Sequence, residues 1–129
     1  MIYVDSSVVL AHVFAEGIGP SVSFWNADLV TSRLTEFECW VRVHAYGRGA
    51  SHGPALAAAL ARLDVIALDE EACARTRASF PVPVRTLDAI HLATADFFRC
   101  RGFVLDIATY DARMRAAAVA MGFGLSPLG

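Results

Sequence analysis

Four acids fall where strand-like blocks give way to helical ones. Asp5 closes the apolar block Ile2-Tyr3-Val4, and Glu38 lies in the helical stretch that follows Leu29-Val30-Thr31. Asp88 stands in the first turn of an apolar helix, and Asp111 opens the helix after Phe103-Val104-Leu105. In an open parallel sheet the carboxyl ends of the strands share one edge, and ligands bind in the crevice there. Carboxylates gathered in such a crevice cannot all stay ionised without a cation. Hard oxygen donors without His or Cys companions select Mg²⁺ or Mn²⁺. Such ions orient water and neutralise the charge that develops on a phosphoryl group in an in-line displacement. The pattern therefore points to metal-dependent phosphodiester hydrolysis.

Each acid also has a plainer reading. Asp5 can cap the first helix, and Thr86 can cap the helix in which Asp88 complements the dipole. Asp111 stands in the same relation to Thr109, and Glu38 is four residues before Arg42 and able to pair with it. Their joint placement weighs against four separate accidents. Glu38 further shares a helix face with Leu34, Val41 and Ala45, where a carboxylate needs compensation. Glu36 lies on a different face beside Arg33 and Trp40 and reads as structural.

The elements that must position these acids alternate along the chain. Short strands are expected at Ile2-Tyr3-Val4, Leu29-Val30-Thr31, Val65-Ile66-Ala67, Phe103-Val104-Leu105 and Phe123-Gly124-Leu125. Helices are expected over 6–14, 19–26, 33–48, 52–62, 69–79, 86–98 and 110–121. Pro54 falls near the start of its helix, where Pro is tolerated. The helix from Thr86 is apolar almost all round and so predicted to be buried. Strands separated by helices imply α/β architecture with a parallel sheet and right-handed crossovers.

The chain has 129 residues, enough for one domain, and 56% are hydrophobic against 19% charged, which excludes a disordered chain. No apolar run reaches the length that spans a bilayer. The start, Met1 to Ser7, has no basic stretch and meets an acid at Asp5, so no secretory leader is expected. Cys39, Cys73 and Cys100 are odd in number, with no C-x-x-C, so neither a disulfide framework nor a zinc site is expected, and a reducing cytoplasm fits. All 11 basic residues are Arg. Without Lys there is no P-loop lysine, Schiff base or receiver-type lysine. The net charge of −2 gives no global basic footprint for nucleic acid. An RNA or DNA partner must be held by local Arg groups or through cations.

Several stretches resemble one family: Tyr3-Val4-Asp5-Ser6-Ser7, Thr31 to Glu38, Thr86-Leu87-Asp88-Ala89-Ile90-His91, and Thr109-Tyr110-Asp111. The chain resembles the PIN-domain ribonucleases over nearly its whole length, and within them the VapC-like toxins of type II toxin–antitoxin pairs. The resemblance implies one domain over 1–129, a three-layer α/β/α sandwich with a short central parallel sheet, and an acidic Mg²⁺ or Mn²⁺ centre. It implies RNA cleavage, inhibition by a VapB-like antitoxin and a homodimer. Asp5, Glu38, Asp88 and Asp111 resemble the metal-binding quartet, with Asp5 and Asp88 as direct ligands. Glu38 and Asp111 would act partly through water, one of them helping to deprotonate the attacking molecule. Ser6 and Thr109 would hold carboxylates by hydrogen bonds. Asp106 departs from the family pattern and competes with Asp111 as the late acid; Asp111 is preferred.

Arg42, Arg85 and Arg113 flank three of the acids and could grip RNA phosphates, or form ordinary ion pairs. His91, one turn from Asp88, is expected as a buried, hydrogen-bonded histidine. Phe14, Phe24, Trp25, Phe37 and Trp40 are expected mostly in the core, with some on a dimer or antitoxin face. A haloacid-dehalogenase-type phosphatase needs a second Asp where Ser7 stands, and a receiver domain needs paired early acids and a late Lys. The remaining alternative is a catalytically inactive PIN-like module that binds RNA or protein; its mark would be a lost core acid, and all four are present.

Overall fold

A computed structural model describes residues 1–15 and 17–128. Five strands, β1 (Ile2–Val4), β2 (Leu29–Ser32), β3 (Asp64–Ile66), β4 (Asp106–Ala108) and β5 (Gly124–Leu125), form one parallel sheet in the order β3-β2-β1-β4-β5. The chain leaves β1 toward β2 on one side and later returns to pair β4 on the other. β1 is thus the switch point, and the crevice opens beyond the carboxyl ends of β1 and β4.

Alternation along the strands divides the core in two. Val4, Leu29 and Ala108 face one layer, with Val8, Val9 and Val13 of α1 (Ser6–Phe14), Cys39 and Val43 of α2 (Arg33–Ala45), and Leu56 of α3 (Gly49–Leu60). Tyr3, Val30 and Ile107 face the other layer, with Leu92, Ala95 and Phe98 of α5 (Thr86–Arg99) and Met114, Ala117 and Ala118 of α6 (Ala112–Ala120). A short α4 (Glu70–Cys73) packs on α5. The architecture is a three-layer α/β/α sandwich. Leu56, Leu92 and Ile107 are wholly buried. Each such side chain contributes about 1.5–3 kcal/mol, and this burial fixes the strands that carry the site. No helix among the described residues is long and apolar enough to cross a membrane.

The fourth strand lies three residues later than predicted. Pairing decides this: Asp106, Ile107 and Ala108 stand beside Ile2, Tyr3 and Val4, while Phe103 and Val104 are exposed in the approach. The predicted helix over 19–26 is a 3₁₀ helix, Val22–Asn26, delayed past Pro20. The predicted helix over 69–79 breaks after Cys73 into a 3₁₀ turn, Ala74–Arg77. Helix α3 starts three residues early, at Gly49, which puts Pro54 in its second turn. The buried face of α2 is Leu34, Thr35, Cys39 and Val43. Val41 is 69% exposed, so Glu38 sits on the flank of that face and not within a stripe with Val41 and Ala45.

Candidate active site

The chain turns out of β1 at Asp5, which is the N-cap of α1. One oxygen, Oδ1, accepts the Ser7 backbone N–H at 3.0 Å and the Ser7 hydroxyl at 2.6 Å. The other, Oδ2, accepts the Thr109 hydroxyl at 2.5 Å. Thr109 Oγ1 in turn accepts the Asp111 N–H at 3.0 Å, and Ser7 Oγ accepts the Tyr110 N–H at 2.9 Å. Two hydroxyls therefore stitch the exit of β1 to the exit of β4. Asp5 is only 4% exposed. Burial pushes its carboxyl above the ordinary range, against the opposing hydrogen bonds from Ser7 and Thr109 and the nearby His91.

Asp111 caps α6 by accepting the Arg113 N–H at 2.9 Å. Asp88 lies in the first turn of α5, whose cap is Arg85 and not Thr86. The Arg85 guanidinium spans two acids: Nε is 3.4 Å from Asp88 Oδ2 and Nη2 is 3.7 Å from Asp111 Oδ2. Glu38, on α2, accepts from His91 Nε2 at 2.6 Å, and His91 Nδ1 meets the Tyr3 hydroxyl at 2.7 Å.

Asp5, Glu38, Asp88 and Asp111 all line one cavity of about 610 Å³, with Ser6, Ser7, Arg42, Arg85 and His91 among its walls. The capping roles of Asp5 and Asp111 and the shared cavity coexist, because α1 and α6 begin where β1 and β4 end, at one edge of the sheet. Asp106 lies elsewhere. It starts β4 and packs on Gly124, where a Cβ would run into its carboxylate.

Three expectations are corrected here. The serine on Asp5 is Ser7, while Ser6 lines the cavity. Asp5 is the cap, and a cap side chain accepts from the second helical residue, which is Ser7. Glu38 bonds His91 instead of Arg42, whose guanidinium lies over the Tyr46 ring at 5.9 Å. Arg113 does not line the acid cavity. It lines a neighbouring one of about 500 Å³ that shares Arg85 and Asp88 and is walled by Val82, Pro83 and Val84. Glu36 pairs with Arg33, as its separate face suggests. The buried thiol of Cys39, close to Glu38 and Asp5, is pushed up to about 12, chiefly by burial.

The donor set suits a hard divalent cation in kind: four carboxylates and the Ser6 and Ser7 hydroxyls around one cavity. In spacing the site is compensated otherwise. Among the described residues no three Asp, Glu, His or Cys side chains converge as a ready metal cluster. Arg85 and His91 stand against the acids instead.

A parallel sheet with acids gathered at the carboxyl edge of its central strands defines a class of acidic-centre α/β proteins. The PIN domain pattern matches residues 2–120, and the chain belongs to the PIN domain family. It is similar to Ribonuclease VapC35 of Mycobacterium tuberculosis, 33% identical over 97% of this chain and 95% of that protein. It is also similar to Ribonuclease VapC46 of Mycobacterium tuberculosis, 33% identical over 96% of this chain and 95% of the relative. A solved toxin–antitoxin complex from Klebsiella pneumoniae has a chain of the same fold, with a TM-score of 0.61 and 21% identity over 93% of this chain and 94% of that one.

Proposed function

We propose that this chain is a Mg²⁺- or Mn²⁺-dependent ribonuclease, built as a single domain and acting as the toxin of a VapBC-type pair. The observation that carries the reading is the cavity wall: Asp5, Glu38, Asp88 and Asp111, from four separate parts of the chain, line one crevice at the switch point of the sheet. Kinship with relatives named ribonuclease VapC agrees with it. The mark of an inactive binding module would be a lost core acid, and all four are present.

Asp5 and Asp88 would hold the cation, with Glu38 and Asp111 beside them. A divalent ion there supplies positive charge against the negative charge that develops at phosphorus. The chain's own groups do the rest. Thr109 and Ser7 hold Asp5 in place. Glu38 or Asp111 takes the proton of the attacking water. Arg85 is 64% exposed, and ion pairs of that kind contribute only about 0–1 kcal/mol, so its guanidinium is readily given up to an RNA phosphate. Arg42 and Arg113 extend the same grip on either side. The partner is a VapB-like antitoxin. The protein acts as a homodimer, for which Phe37 and Val41, exposed on α2, offer an apolar face. Its three free thiols suit the cytoplasm.

Purified protein should cut RNA with Mn²⁺ or Mg²⁺, stop in EDTA, and leave 5′-phosphate and 3′-hydroxyl ends. An end group of 2′,3′-cyclic phosphate would overturn the mechanism, since the RNA's own 2′-hydroxyl would then be the nucleophile.

A further inference from the structure

Tyr3, His91 and Glu38 form one hydrogen-bonded chain. The Tyr3 hydroxyl meets His91 Nδ1 at 2.7 Å, and His91 Nε2 meets Glu38 Oε1 at 2.6 Å. The inner two members are buried, Tyr3 at 1% and His91 at 3% exposure, while Glu38 and the edge of the His91 ring line the cavity. The chain joins β1, α5 and α2, the elements that carry or immediately precede Asp5, Asp88 and Glu38.

The direction of the bonds follows from chemistry. A carboxylate only accepts, so Nε2 carries the hydrogen. A neutral imidazole carries one hydrogen, so Nδ1 is then bare. It accepts the Tyr3 O–H. A glutamate side chain in a cavity wall has several rotamers, and ordering it costs entropy. A rigid, buried N–H donor on one oxygen selects a single rotamer and leaves Oε2 free toward the cavity.

We propose that Tyr3 and His91 are positioning residues that fix the catalytic carboxylate of Glu38, with His91 locked by the Tyr3 hydroxyl in its Nε2–H tautomer. This rests on the ribonuclease reading for its consequence, while the hydrogen-bonded chain itself can be observed without any activity.

The test is Tyr3→Phe, which removes one oxygen from a packed ring, with His91→Gln and His91→Ala beside it. Thermal melts establish that each variant folds. In the parent, ¹⁵N spectra of the His91 ring should show a protonated Nε2 and a bare Nδ1, and in Tyr3→Phe the Nδ1 resonance should shift as it loses its hydrogen-bond donor. In RNA cleavage, Tyr3→Phe should lower kcat by about 10- to 100-fold, the range for removing a group that orients a ligand, and leave KM unchanged. His91→Gln, which keeps an N–H donor, should cut faster than His91→Ala. An Nδ1–H or doubly protonated ring in the parent overturns the proposal. So does a Tyr3→Phe enzyme with the parent's kcat. If the parent cuts no RNA under any metal, the ribonuclease reading fails by itself. The ring spectra and the order of the Glu38 side chain in Tyr3→Phe then still decide the chain.

Discussion

Replacing Asp5 by Asn removes one negative charge and keeps the shape. Asn caps a helix as well as Asp does, so the start of α1 survives. The Asn carbonyl can keep the two bonds from Ser7, and the amide falls opposite Thr109. The Thr109 hydroxyl then turns to accept, and Ser7 Oγ, 3.3 Å away, can take its hydrogen. A charge-assisted bond becomes a neutral one at a cost of about 0.5–1.5 kcal/mol. Relief of burial acts the other way and wins, because burial already outweighs these same hydrogen bonds in raising the Asp5 carboxyl. The variant should therefore be more stable than the parent in EDTA at pH 7, by on the order of 1 kcal/mol. The pH dependence has a definite sign. With the folded value raised above 3.8, the unfolded chain ionises first as pH rises, and the parent loses stability through that window. The advantage of the variant is complete at neutral pH and vanishes once pH falls below the unfolded value. Saturating Mn²⁺ should reverse the ranking. Binding to the native state adds about 2.7 kcal/mol at a ligand concentration 100 times Kd, and the variant has lost a ligand. Urea titrations of both proteins at several pH values, with EDTA and with Mn²⁺, measure all of this. A less stable variant in EDTA at neutral pH would refute the dominance of burial at Asp5. An unchanged ranking in Mn²⁺ would remove Asp5 from the metal centre.

Thr109→Val keeps the volume of a fully buried side chain but leaves Asp5 Oδ2 without its donor and the Asp111 N–H without its acceptor. It should cost about 2–4 kcal/mol in urea unfolding, and the cost should shrink at low pH, where a neutral Asp5 carboxyl loses less without that donor than a carboxylate does. Thiol labelling of the native protein should modify the exposed Cys100 and leave Cys39 untouched until denaturant is added, as its burial and raised ionisation demand.

The sheet edge was legible because each of Asp5, Glu38, Asp88 and Asp111 stands at a fixed distance from a recognisable strand or helix start. Local chemistry carried that much. What depends on a distant partner was not legible. The fourth strand begins at Asp106 because β1 lies beside it there, and Phe103-Val104 looks equally strand-like without such a neighbour. His91 could be expected in the core with its polar atoms satisfied, but Glu38 is 53 residues away and only the packing of α2 against α5 makes it the partner. Tyr3 had no signal beyond a β-prone block. Ser7 is a different kind of miss. Once Asp5 is taken as a cap, the second helical residue follows from helix geometry alone, so that choice over Ser6 was available from the sequence.

The charge balance of the cavity ties these points together. Four carboxylates share one crevice, and three devices hold them. Asp5 is buried under hydroxyl donors and a helix start. Glu38 has a buried imidazole. Asp88 and Asp111 share one exposed arginine. The first two devices sit in the packed core, so Asp5 and Glu38 keep their places when a ligand enters. The third is a pair of long contacts from a guanidinium that water reaches easily, which is weak by nature. Arg85 is therefore the movable part. On the ribonuclease reading, an RNA phosphate would draw the guanidinium into the stronger bidentate bonds that phosphate geometry allows. That turn would uncover Asp88 and Asp111 together. A site built only for structural ion pairing has no reason to divide its acids in this way, with two locked into the core and two held by a single releasable cation.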